Sequence, residues 1–210
     1  RFDWKEHCDV YPVQSSVSSS KILRVLELIN QHRVKNGLNP LLLDQDMTRG
    51  ALVRAAECNV FFNHTRPGDG LANSIPDGGA EIITVSGDTP EKSVNAWINS
   101  NLHNPWLLKS DSKYIGIGQV GNSWVCGFGS SEKDSRYKPA DSTFLKSIEM
   151  SNRVDYVLVD RSVCSPKLTA NSFDSYQLSK GISTGSTYQL KAEIPTIYYK
   201  KVNNSADVVP

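Results

Sequence analysis

Three side chains suited to chemistry stand on separate stretches of this 210-residue chain: His64, Glu81 and His103. His64 opens the run H-T-R-P-G-D-G, Glu81 sits in G-A-E-I-I-T, and His103 closes W-I-N-S-N-L-H. Two imidazoles and a carboxylate can bind a divalent metal such as zinc and leave a coordination position open. A metal held by His64 and His103 would support hydrolysis. Without a metal, a histidine–carboxylate pair can act as acid and base. The bland alternative is a polar cluster that orders a loop, since a buried polar group without a partner costs ~1–3 kcal/mol. The sequence contains neither H-E-x-x-H nor G-x-S-x-G. Asp69 follows His64 in a glycine-rich loop, and Trp106 and Tyr114 flank the His103 region, so these three are further candidates to line a cleft.

Positioning such groups requires a fold that brings three elements together. Ile22, Val25, Leu26 and Ile29 recur at helical spacing and predict a helix over 21–36, with Ser20 as N-cap and Gly37 as stop. A second helix starts at Asp44 or Asp46 and runs to about Phe62, with Met47, Ala51, Val53, Ala55, Cys58 and Phe62 as its apolar positions. Arg54 and Glu57 read as ordinary helix-surface or inter-helix pairs, and His32 and His7 as solvated. Residues 63–80 are rich in Gly, Pro, Asn and Asp and form a loop long enough to line a site. A strand over 80–85 follows. Thr89-Pro90-Glu91 then opens a helix with Trp97 as a core position. Residues 113–120 and 123–130 form a hairpin around Gly121-Asn122. Helices on both sides of a small antiparallel sheet make an α+β, three-layer α-β-α sandwich.

The flanks read differently. Residues 1–19 form an extended N-terminal segment whose Q-S-S-V-S-S-S run suggests a linker. Residues 20–131 form the sandwich. Residues 140–210 read as a β-rich C-terminal segment without a helix. Its run G-I-S-T-G-S-T-Y-Q-L-K-A-E-I resembles the opening strands of bacterial Ig-like modules.

Bulk properties bound the function. The chain is 39% hydrophobic and 21% charged, enough for a packed core. A net charge of +1 argues against a nucleic-acid partner. No apolar run approaches the ~20 residues of a transmembrane helix. Four cysteines, Cys8, Cys58, Cys126 and Cys164, form no C-x-x-C pair. Cys58 and Cys126 read as buried core thiols, while Cys8 and Cys164 flank the central region and are free to be bridged in a secreted protein.

The pieces I-N-Q-H-R-V-K-N-G-L-N-P-L, R-A-A-E-C, F-N-H-T-R-P-G-D-G, G-A-E-I-I, W-I-N-S-N-L-H-N-P-W-L-L and K-Y-I-G-I-G stand in the order of the CAP superfamily. Over about residues 20–130 the chain resembles the SCP-like domains of cysteine-rich secretory proteins, antigen 5 and pathogenesis-related proteins, in their bacterial form. The resemblance implies an extracellular α-β-α sandwich with a cleft holding two histidines and two acids. His64 and His103 match the histidines and Glu81 one acid. The strand reads G-A-E-I where the family has G-E-N-I, and a one-residue shift would turn Glu81 to the other face. For the second acid the loop offers only Asp69 and Asp77.

The resulting expectation is a secreted or cell-surface binding domain with a His/Glu cleft and no required cofactor. Its partner would be a small ligand, a lipid, or an envelope or host protein. The alternative is a metal-dependent hydrolase using the same cleft.

Overall fold

Two glycines set the distance between the central sheet and one of its covering helices. The computed structural model describes residues 8–68, 70, 75, 79–85, 87 and 89–164. Four strands form the sheet: β2 (Leu42–Leu43), β3 (Ala80–Thr84), β4 (Ser112–Val120) and β5 (Ser123–Ser130), in the order β2-β4-β5-β3. β2 runs parallel to β4; the other neighbours are antiparallel. Along β4 the side chains alternate. Ile115 and Ile117 join the cluster containing α1 (Ser19–Lys35), whereas Tyr114 and Val120 join that of α2 (Gln45–Cys58). Gly116 and Gly118 fall on the α2 face. A Cβ there would lie 2.3 Å from the Met47 carbonyl and 2.2 Å from that of Ala51, so only glycine admits the helix backbone this close.

Three layers result. α1, α3 (Pro90–Ile98) and α5 (Ser142–Ile148) cover one face, where Ile22, Ile29, Trp97 and Phe144 pack on Ile115 and Trp124. On the other face lies α2, with Met47, Ala51, Ala55 and Cys58 turned inward. Fully burying each large apolar side chain contributes ~1.5–3 kcal/mol. This is the expected α-β-α sandwich, with one parallel pair in its sheet. Val53 and Phe62, assigned to the apolar stripe of α2, are instead exposed.

Distant residues moved two helix ends. Ser18, not Ser20, has the extended N-cap backbone of α1. Glu149 supplies the cap, accepting from Ser19 N at 2.7 Å across the chain. α2 stops at Cys58 because Asn59 folds over its end, donating to the carbonyls of Ala55 and Val120. Local signals placed two starts correctly. Asp44 accepts from Met47 N, and Thr89 accepts from Lys92 N with Pro90 in the first turn.

The flanks differ most from expectation. β1 (Cys8–Val17) pairs antiparallel with β6 (Met150–Asp160) as a two-stranded ribbon. The Ser-rich stretch read as a linker therefore supplies the end of a strand and the start of α1. Ser142–Ile148 is a helix where none was expected: Asp141 caps it, and Phe144 and Ile148 drop into the sandwich core. Val157 and Val159 of β6 pack with Met47 and Ala55 of α2, so residues 140–160 bear directly on the sandwich. The Ig-like run and His7 lie outside the described residues. Cys58, Cys126 and Cys164 are buried free thiols, the first two in the core as expected. Among the described residues no helix is long and apolar enough to cross a membrane.

Candidate functional site

The alternation of β3 decides where Glu81 points. Ile82 packs with the α1 cluster and Ile83 with that of α2, so Glu81, two residues before Ile83, faces α2 as well. The one-residue shift that would have turned it away does not occur. Across from it, Arg54 lies on α2 one turn beyond Ala51, inside the stripe that packs on the sheet. Its side chain is 0% exposed.

Arg54 spends its hydrogen bonds on three partners. Nε donates to Glu81 Oε2 at 3.0 Å and Nη2 to Glu81 Oε1 at 2.9 Å, a parallel fork. Nη1 donates to Glu57 Oε2 at 2.6 Å, one helical turn away. Nη2 also donates to the Asn63 carbonyl at 2.6 Å, which ties the start of the long loop to the helix. Asn63 Oδ1 in turn accepts from Thr65 N at 2.9 Å, turning the chain around His64. Arg66 closes the group, donating to Glu57 Oε1 at 2.7 Å. Burial by itself lowers the Arg54 pKa. The hydrogen bonds to Glu81 and Glu57 and the field of the surrounding anionic groups outweigh it, and the pKa is raised.

Cys58, one turn further along α2, shares this surrounding. Burial pushes its thiol up to about 12, with Arg54 opposing and the two glutamates adding to the shift. It is therefore a protonated, unreactive thiol at neutral pH.

His64 sits above this buried layer. His64 Nδ1 lies 3.1 Å from Glu81 Oε1, while its side chain is 58% exposed. A carboxylate paired with Arg54 can only accept, so Nδ1 carries the hydrogen and Nε2 is the ring nitrogen left for other partners. His103 lies in the turn between α3 and the short α4 (Asn104–Leu107), its N–H donated to the Ser100 carbonyl. Its pKa is lowered, first by burial and then by the charge of His64.

The other candidates divide. Trp106 is exposed in α4, with the Lys109 ammonium 5.7 Å from its ring centre. Tyr114 is buried instead: it stacks on Tyr137 with ring centres 4.7 Å apart and donates its hydroxyl to Asp134. None of these contacts involves the histidine group. Asp69 and Asp77 lie outside the described residues. His32, read as solvated, is within 2.9 Å of Asn104 Oδ1 through Nε2 and joins α1 to α4. The residues that sequence reading misplaced are Arg54 and Glu57, both buried and central rather than surface pairs. For Arg54 the signal was present: it falls three residues after Ala51 and four before Cys58, inside the apolar stripe, and Glu57 follows it by one turn.

A zinc ion fits this donor set poorly. Both oxygens of Glu81 accept from Arg54, whose fixed positive charge already neutralises the carboxylate. Among the described residues, no group of three or more His, Cys, Asp or Glu is arranged to hold a metal ion.

Residues 26–128 match the model of the cysteine-rich secretory protein family, CAP. The YkwD protein of Bacillus subtilis, itself uncharacterized, is 31% identical over 125 residues, covering 54% of this chain and 48% of its own length. The chain thus spans about half the length of that relative. An extracellular protein of Bacillus anthracis containing an SCP domain superposes with a TM-score of 0.48 at 19% identity, over 54% of this chain and 41% of its own. An outer surface protein of Borrelia burgdorferi gives 0.43 at 23% identity, over 56% and 98%. Residues 26–128 are a CAP domain of the bacterial, SCP-like form.

Proposed function

We propose that this CAP domain is a recognition module acting outside the cytoplasm, secreted or held at the cell surface, and that its cleft binds a small ligand between His64 and His103. One observation carries the reading: Glu81 is gripped through both oxygens by Arg54 and spends one of them again on His64. A carboxylate so engaged is a poor metal ligand but a firm orienting group for an imidazole. Oriented in this way, His64 offers Nε2 as an acceptor, which suits a ligand bearing O–H or N–H groups such as a saccharide, a polyol or a short peptide. The family to which residues 26–128 belong supports the extracytoplasmic placement.

Ligand-observed NMR against a library of polyols, saccharides and short peptides tests the reading. Binding should weaken at least tenfold in both His64→Ala and His103→Ala. Hits that bind both variants as tightly as the wild type would place recognition on another surface.

A further inference from the structure

The row of side chains that β4 turns toward α1 reads Ile115, Ile117, Gln119. The first two join the core, and the third is a carboxamide where the pattern calls for an apolar side chain. Gln119 is only 5% exposed. Its amide nitrogen donates to the Gly121 carbonyl, and its amide oxygen has no partner among the described residues. A polar atom taken out of water without a partner is costly, and the cavity that Gln119 lines has room for one.

That cavity measures about 360 Å³ and lies between the start of α1, the β4–β5 turn and the β1–β6 ribbon. Sites for small molecules begin at ~300 Å³. Gln14 of β1 and Asn122 of the turn line it together with Gln119, so carboxamides converge from three separate segments. Val17 and Met150 supply its apolar part, continuous with the α1 core cluster. Lys21 and Glu149 bring one charge of each sign, and Glu149 already accepts from Ser19 N and Oγ. The lining as a whole therefore favours neither an anion nor a cation.

The ribbon is deformed at this place. Its ladder pairs Ser15 with Arg153 but Val17 with Met150, so Ser16 stands against two residues, Ser151 and Asn152. A bulge of this kind bends the strand and re-aims its side chains. Asn152 is the one non-glycine residue at positive φ among those described, at +54°, and its N–H donates to Ser16 Oγ at 3.2 Å. Gln14 and Ser16, on either side of Ser15, both line the cavity.

This place is separate from the histidine group. Glu81 faces α2, whereas Gln119 faces α1 on the other side of the sheet. Glu81 also pairs with Gly127, five residues beyond Asn122, roughly 16 Å away at ~3.3 Å per residue.

We infer that this cavity is a second binding site, for a small uncharged ligand that carries a secondary amide. A carboxamide presents a donor and an acceptor side by side, the complement of a C=O and an N–H in one planar group. Val17 and Met150 receive the alkyl group attached to it. N-acetylated sugars and short capped peptides share this chemistry.

Amide NMR titrations of the full chain test the inference. The probes are N-acetylglucosamine, glucose as a similar ring without the acetamido group, and N-acetylalanine methylamide. The expected result is saturable shifts at Gln14, Gln119 and Asn122, side-chain amides included, with one or both amide probes and none with glucose. Whichever amide probe binds names the source, sugar or peptide. His64→Ala should bind as tightly as the wild type. Gln119→Leu continues the apolar row, so its Tm should hold while affinity falls about tenfold. Asn122→Ala alters an exposed turn residue and should weaken binding about threefold; it carries the comparison alone if Gln119→Leu unfolds. No saturable shift at these residues with either amide probe overturns the inference. So do equal shifts with glucose, wild-type affinity in the folded lining variants, or loss of binding in His64→Ala.

Discussion

Arg54 and Glu81 meet through two parallel hydrogen bonds, at 3.0 and 2.9 Å, beneath the exposed ring of His64. The arginine comes from α2 and the glutamate from β3, so the pair fastens one outer layer of the sandwich to the edge of its sheet. Breaking a buried pair by removing one partner costs ~3–5 kcal/mol, because the other charge stays behind without its counterion. Arg54→Met should lose about that much in urea unfolding. Replacing both partners, Arg54→Met with Glu81→Met, should recover a good part of it. A single substitution costing under ~1 kcal/mol would mean that the pair behaves as a surface contact.

His103 should titrate below the ordinary histidine range, and His64→Ala should move it part of the way back, since burial is the larger cause and His64 the second. The sign follows from linkage. A histidine with a lowered folded pKa binds its proton more weakly folded than unfolded, so this group favours unfolding at acid pH. That penalty is relieved as pH rises through its folded and then its unfolded value near ~6.5. Imidazole NMR titrations of the wild type and His64→Ala check both statements. A His103 pKa unmoved by the substitution would separate the two rings.

Gly118→Ala should be among the most damaging of small substitutions. The new methyl would meet the Ala51 carbonyl at 2.2 Å, and a helix backbone cannot rotate aside as a side chain can. Overpacking of this kind costs ~1–3 kcal/mol or more. Gly37→Ala is a useful contrast: nothing lies within 4 Å of its added carbon, but its φ of +76° makes alanine strained, so a smaller loss of ~1 kcal/mol is expected. Thermal melts showing equal losses at both positions would contradict the close approach of α2.

Asp44 does three things at once. Oδ1 caps α2 by accepting from Met47 N, Oδ2 accepts from Lys138 N, and the carboxylate lies 3.4 Å from the buried Lys133 ammonium. Asp44→Ala should cost ~3–5 kcal/mol, against ~1 for loss of a cap alone. Asp44→Asn keeps the acceptor for the cap but removes the charge, and should fall between. Stabilities of the two variants within error of each other would show that Lys133 does not depend on this charge.

The sequence disclosed whatever was written locally. Apolar spacing located α1 and α2, Thr89-Pro90 located the start of α3, and the apolar runs around Gly121-Asn122 located the β4–β5 hairpin. What it concealed was set by partners far along the chain. Glu149 caps α1 from another element, and the Ser-rich stretch becomes strand only because β6 is there to pair with it. At the site, His64 and Glu81 were legible as types and are joined in space. Arg54 was legible as a charge within an apolar stripe, with Glu57 one turn on, yet a surface pair reads the same way until the depth of the helix is known.

The β1–β6 ribbon also orders events in time. β1 precedes its partner by about 140 residues, a separation that slows pairing because loop closure comes before any gain in contacts. The helices and the β4–β5 hairpin close over short spans and can form sooner. Pro67 and Gly68 lean on Asp160 and Leu158 of β6, so the chain just past His64 stays without that support until β6 arrives and takes shape late.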